Sequence, residues 1–391
     1  MRLYEIIGGG TQAPSGYLHV SRKALMSASS PSYGFREAYL AQWNGGDSRV
    51  STLLSPLGWK AEHLLQMVSA HGLMDLDEAI DYRTDPRFHR LISDRRLQAR
   101  MSELHSEGRA ALLAYLDQAD FLSAQKVAVV DVGWAGQIQE ALELAIEGVE
   151  RKPLITGLYL ALRELGGQRR ATGLDMQGLV FDCAEPNWRS ECILSAVDVF
   201  EDACRAHHGT VTGYTNGEPS HAVATPSRLS EKTDEPRFSE LHESVMRYAA
   251  GWSDALRRLK GTSFDTKSIA DSAAVSLIRF PSAEVYRFFG LTGHSLDFGT
   301  DVALPSETAA PPFDPFGTLR GLRKAKWKEG YATGSSYRMA LQSMLTLARI
   351  LRGKRLGGCD GRFIDPSGRK TALERGLISA LHFVARKRTK S

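Results

Sequence analysis

Asp131 closes an apolar run, "KVAVVD", and "VGWAGQ" follows at once, a stretch with two glycines that opens a helical pattern. A glycine turn entering a helix presents free backbone N–H groups and the positive end of the helix dipole, which suits a phosphate. A carboxylate at the strand end beside it can accept ribose hydroxyls or hold a hydrated magnesium ion. Asp131 is therefore a candidate catalytic residue, and Gly133, Trp134, Ala135, Gly136 and Gln137 are candidate binding residues acting through their backbone. The alternative is a plain strand-to-helix turn with an Asp cap.

A second group lies in "VFEDACRAHHGTVTGY". Glu201 and His208 are candidates for a general base near a bound hydroxyl, with His207 as a binding neighbour. Imidazoles at a helix C-terminus are also favoured simply by the dipole. Cys183, Cys192, Cys204, His207 and His208 match no standard zinc spacing. Asp75-Leu76-Asp77 spells the DxD of metal-dependent sugar transferases, but no strand precedes it, and acids opening a helix are ordinary capping chemistry. GxSxG, HExxH and DxDxT are all missing, which removes the usual serine-hydrolase, zincin and aspartyl-phosphatase chemistries.

The elements around these residues read as alternating strand and helix. "GYLHVSRKAL" suggests a short strand, Tyr17 to Val20, ending in Ser21 and Arg22. Leu97, Met101, Leu104, Leu112, Tyr115 and Leu116 recur at helical spacing. After the glycine turn, Ile138, Ala141, Leu142, Ala145 and Ile146 line one helical face. "LITGLYLAL", Leu154 to Leu162, reads as a further buried strand. Strand, helix and strand with a short turn make a parallel βαβ unit, and ligands of open parallel sheets sit beyond the carboxyl ends of the strands. Arg22 and Asp131 are thus expected on one edge. Residues 207–217 suggest a hairpin, 215–235 a polar loop, Pro236 the start of a helix, and 292–320 a long loop. Two amphipathic helices finish the chain, the last with Leu373, Leu377, Leu381 and Val384 on one side.

The chain has 391 residues, 42% of them hydrophobic and 24% charged, an ordinary composition for a soluble domain pair. No apolar run reaches the ~18 residues of a membrane span, the start lacks a signal-peptide core, and four cysteines form no CxxC pair, so the expected location is cytoplasmic. From Arg320 onward stand 18 Lys/Arg against 4 Asp/Glu, a balance of +14 within a net charge of +4, so the first 319 residues carry −10. This polarity points to an anionic partner for the C-terminal part (membrane surface, polyanionic substrate or nucleic acid), or to a solvated basic face.

In "YLHVSRKAL", "VAVVDVGWAGQIQEAL", "ITGLYLAL" and "HHGTVTGY", over roughly residues 15–215, the chain resembles a phosphoribosyltransferase-like module of bacterial surface-polysaccharide proteins, where it follows a haloacid-dehalogenase-type phosphatase domain. The resemblance implies an α/β fold, a Rossmann-like parallel sheet of phosphoribosyltransferase type with a mostly helical C-terminal region. It divides the chain into an α/β core (1–165), an acceptor-side insertion and loop (166–235) and a basic helical region (236–391). It further implies transfer of ribofuranose 5-phosphate from phosphoribosyl pyrophosphate to a glycan or lipid-linked glycan acceptor in capsule or O-antigen synthesis. Asp131 would hold the ribose hydroxyls, Ser21 and Arg22 would lie near pyrophosphate, and Mg2+ would arrive on the donor. A separate phosphatase, contact with the inner membrane face and no nucleic acid complete the implied partners. The family's first strand and its Arg-Asp-Gly loop would precede residue 1. Asp131-Val132 replaces the usual adjacent acids, and Trp134, Ala135 and Ile138 stand where the family's loop carries threonines. These departures keep open a binding-only module of such a protein.

Overall fold

The computed structural model describes residues 2–8, 13–42, 48–185, 190–215, 219–224, 229–259, 265–290, 293–294, 304–305 and 310–356. The elements used below are helices α1 (Arg22–Ser29), α2 (Phe35–Gln42) and α3 (Arg95–Gln118), strand β1 (Lys126–Trp134), helix α4 (Gln137–Ala145), strand β2 (Leu154–Leu162), helix α5 (Glu164–Ala171), strand β3 (Asp175–Asp182), helix α6 (Val197–Ala203), strands β4 (Val211–Tyr214) and β5 (Ala222–Ala224), and helices α7 (Leu229–Arg258) and α8 (Thr266–Arg279).

β1, β2 and β3 form one parallel sheet in that spatial order, joined by α4 and α5. Val127, Val129 and Asp131 pair in register with Ile155, Gly157 and Tyr159 and share their face of the sheet. The apolar members of that face pack against Leu25 of α1, Leu112 and Leu116 of α3, and Ala141, Leu142 and Ala145 of α4. Gln139, buried on α4, fastens this helix down: its amide donates to Ile155 O (3.3 Å) and Asp175 O (3.0 Å), and its Oε1 accepts from Tyr159 Oη (3.0 Å). A Cβ on Gly157 would stand 2.0 Å from Gln139 Oε1, so β2 must carry glycine where α4 crosses.

The chain is mixed α/β, with a mostly helical C-terminal region. Ala274 of α8 packs with Trp134, Ala161, Val180 and Phe181, covering the carboxyl end of the sheet's second face. Farther back that face is open, and Val130 and Leu154 are 75% and 69% exposed. The run "KVAVVD", read as a buried strand, belongs instead to a strand with one strand neighbour among the described residues and with Val130 open to solvent.

Several expectations are corrected. Tyr17 to Val20 is not a strand: its backbone binds side chains instead, His19 N–H donating to Tyr115 Oη (2.9 Å) and His19 O accepting from Tyr214 Oη (3.0 Å). Ser21 caps α1 and Arg22 is its first residue, as a Ser before a helical run favours. Asp131 does not end its strand, since β1 continues to Trp134. The sheet reaches Asp182, beyond residue 165. α7 opens at Leu229, ahead of Pro236, and within 292–320 a helix begins at Pro315, capped by the Asp314 carboxylate on Gly317 N. The hairpin expected over 207–217 has only its first strand there, β4; the second, β5, lies within the segment expected as a polar loop. Leu373, Leu377, Leu381, Val384 and the basic end lie outside the described residues, as does Cys359; Cys183, Cys192 and Cys204 are free thiols. No helix among the described residues is long and apolar enough to cross a membrane.

Candidate functional site

Asp131 faces the helix-covered side of the sheet, beside Tyr159. Two glycines shape the chain just beyond it. At Gly133, φ is +142° and a Cβ would lie 2.6 Å from Ala161 O, so β1 approaches β2 more closely than a side chain permits. At Gly136, φ is +72°, the left-handed conformation that turns the chain into α4. The first amides of the nine-residue α4 therefore open a few residues beyond Asp131.

Burial pushes the Asp131 carboxyl up to about 6, with Glu201 adding to the rise; the amides of Val132 and Gly133 and the Arg22 charge oppose it. Near neutral pH the group is still mostly ionised, roughly nine-tenths at pH 7. Arg22 reaches the same place from α1, its Nη1 3.4 Å from Gln137 Oε1. Burial lowers its pKa while Glu201, Asp131 and Tyr39 raise it, and a guanidinium stays charged under such opposed effects.

Glu201 comes from α6. Its Oε1 accepts the Trp134 indole N–H at 2.7 Å, which ties the end of β1 to α6. Arg163 follows β2 directly: its backbone N–H donates to Trp134 O (2.7 Å), and its guanidinium lies 5.8 Å from the Trp134 ring centroid. Burial lowers the Arg163 pKa against the raising influence of Glu201 and Asp198. Arg169 donates to Ala135 O (3.0 Å), and its Nε lies 2.9 Å from Glu140 Oε2 without hydrogen-bond alignment. Arg36 approaches the same carboxylate at 3.9 Å. Four arginines thus surround the turn that follows Asp131.

Not every sequence candidate belongs here. The Ser21 hydroxyl is committed to structure, accepting Ala24 N (3.1 Å) and donating to Val211 O. His207 stacks edge-on against His242 (5.3 Å) and lies 3.7 Å from Glu235 Oε1. His208 belongs to a cluster with Tyr17 and His19. Its Nδ1 lies 2.8 Å from Gly209 O, which can only accept, so Nδ1 carries the proton and Nε2 receives the Tyr17 hydroxyl at 3.0 Å. His208 thus packs with Tyr17 and His19, while Glu201 is bonded to Trp134. Asp75 and Asp77 lie in a turn, with Asp75 Oδ1 accepting Asp77 N.

Sequence reading missed Arg163, Arg36, Arg169 and Gln139. Arg163 carried a signal, being the residue directly after the strand Leu154–Leu162, where ligand-binding groups of parallel sheets stand. The others are brought in by packing alone.

Magnesium commonly takes one or two carboxylates together with substrate phosphates. Asp131, in the field of Glu201, fits such an ion carried on a pyrophosphate. Among the described residues no group of three or more His, Cys, Asp or Glu gathers to hold a metal. The chain matches no protein-family model and no curated protein.

Proposed function

We propose that the chain is a glycosyltransferase of phosphoribosyltransferase type, with a Rossmann-like sheet, that moves ribofuranose 5-phosphate from phosphoribosyl pyrophosphate to a glycan acceptor in capsule or O-antigen synthesis. One observation carries the reading: an ionisable carboxylate, Asp131, stands beside a glycine turn into a helix and is flanked by Arg22 and Glu201. Asp131 accepts the ribose hydroxyls. The amides at the start of α4 hold the 5-phosphate, whose charge Arg36 and Arg169 offset. Arg22 faces the pyrophosphate. Ser21 and His208, engaged elsewhere, have no part in this arrangement.

In the transfer, an acceptor hydroxyl oxygen bonds to the anomeric carbon as the carbon–oxygen bond to pyrophosphate breaks. The electron pair leaves on pyrophosphate and the hydroxyl proton passes to the Glu201 carboxylate. Catalysis is then chiefly positioning and charge stabilisation. Magnesium, when bound, would neutralise the departing pyrophosphate, and Asp131 is the residue that would hold it, Glu201 remaining the base. A separate phosphatase removes the 5-phosphate, and the enzyme works in the cytoplasm, peripheral to the inner membrane face. Release of pyrophosphate from the donor in the presence of magnesium and a glycan acceptor, lost in Glu201→Gln, tests the proposal.

A binding-only module is the second reading. Arg22 begins a helix where the family would end a strand, and among the described residues the parallel sheet has three strands. Donor binding without any pyrophosphate release would favour it.

A further inference from the structure

A cavity of about 250 Å3 lies next to the Asp131 site, and Arg163 belongs to both. Its walls include Val197 and Asp198 of α6 together with Phe289, Lys326 and Trp327. Asp198 and Glu201 are three residues apart on α6 and so share a side of that helix. The helix therefore leads from the cavity to the carboxylate that accepts the Trp134 N–H.

Charge in this cavity is unevenly satisfied. Lys326 Nζ pairs with Asp198 Oδ2 at 3.3 Å. Arg163, with five N–H donors, has among the described residues one hydrogen bond from its side chain, a long one of 3.5 Å from Nη2 to Leu194 O. Its other guanidinium nitrogens are not sealed away from solvent. One cationic fork thus faces a space with aromatic walls, and the two carboxylates whose charge it feels have other partners, Asp198 with Lys326 and Glu201 with the Trp134 indole. A guanidinium fork matches a carboxylate with two parallel hydrogen bonds, and Asp198 can accept sugar hydroxyls. The volume lies just under the range of about 300–1,000 Å3 usual for drug-sized ligands, which suits a single sugar ring.

We propose that this cavity is the acceptor subsite and that it takes a sugar ring bearing a carboxylate, a uronic-acid type of residue, with Arg163 binding the carboxylate. The inference rests on the transferase reading for the word acceptor, but not for the ligand chemistry. The sugar lies against Phe289 and Trp327, and its hydroxyl is presented along α6 towards Glu201.

Calorimetric titration of the full chain with glucuronate, glucose and glucose 6-phosphate, without donor, tests it. Glucuronate should bind at least ten-fold tighter than glucose and tighter than the phosphate ester. Arg163→Gln should weaken glucuronate at least ten-fold and leave glucose little changed. Lys326→Met, at a half-exposed position tolerant of change, should also weaken glucuronate by removing the cation that offsets Asp198 near the anion. Equal binding of glucuronate and glucose, absence of glucuronate binding, tighter glucose 6-phosphate, or glucuronate binding untouched by both substitutions would each overturn the proposal. A parallel titration with phosphoribosyl pyrophosphate and magnesium separates the two claims. Donor binding without glucuronate binding defeats this inference alone, while glucuronate binding without donor binding keeps the carboxylate site but overturns its role as acceptor subsite.

Discussion

The indole N–H of Trp134 donates to Glu201 Oε1 at 2.7 Å, and this one bond joins the last residue of β1 to helix α6. It orients a carboxylate towards the turn that follows Asp131, so the proposed base is held by the strand that carries the proposed ribose ligand.

Trp134→Phe keeps the ring and removes the donor. Loss of a hydrogen bond to a charged group costs about 1.5–3 kcal/mol. Turnover should fall roughly ten-fold or more, while the donor dissociation constant changes little. Unchanged turnover, or an equal loss in donor binding, would remove Trp134 from the positioning of Glu201.

Asp131 should oppose stability where it serves function. Its folded pKa, about 6, lies above the ordinary carboxyl value of 3.8, so the contribution it makes to stability is complete below about pH 3.8 and is lost as pH rises through 6. Two pKa units correspond to about 3 kcal/mol. Asp131→Asn should therefore stabilise the chain by an amount of that order at pH 8, with little difference from the natural chain at pH 4, and should abolish transfer. Denaturant unfolding at the two pH values measures it. A substitution that destabilises equally at both would make Asp131 a structural cap.

The two glycines should differ in tolerance. A Cβ on Gly133 meets backbone, Ala161 O at 2.6 Å, whereas one on Gly136 meets the end of a flexible side chain, Met176 Cε at 2.5 Å. Gly133→Ala should lose folded protein at expression. Gly136→Ala, strained by φ of +72° but able to push Met176 aside, should fold with a loss of about 1–3 kcal/mol. Thermal unfolding of the two variants, compared side by side, checks the order.

The sequence carried the sheet and the turn because both are written locally. The β-branched run before Asp131, the two glycines and the apolar stripe Ala141, Leu142, Ala145 each constrain their own neighbourhood. Arg22 was placed on the right neighbourhood for a wrong reason: Ser21 starts a helix, and its capping hydroxyl is read in three residues, whereas a strand there would have needed a partner no local pattern can supply. Glu201 and His208 looked alike in sequence, and only the fold separates them, through Trp134 in one case and Tyr17 in the other. Arg36 and Arg169 meet at Glu140 from α2 and α5, a convergence with no local spelling.

The basic end of the chain, Arg386 to Arg388, should give reversible attachment to anionic membranes, each residue near the leaflet contributing about 1 kcal/mol. Co-sedimentation of the full chain with vesicles rich in acidic phospholipid should fall as salt is raised and should weaken on removal of residues 386–391. Absence of binding at low salt would exclude the membrane contact.

The measurement closest to the central claim is a calorimetric titration of phosphoribosyl pyrophosphate with magnesium into the natural chain and into Asp131→Asn at pH 7.5, where Asp131 is ionised. Charge-assisted bonds to two ribose hydroxyls predict saturable binding that the substitution weakens by at least about ten-fold. Absence of binding to the natural chain, or equal binding by the two, would contradict the account.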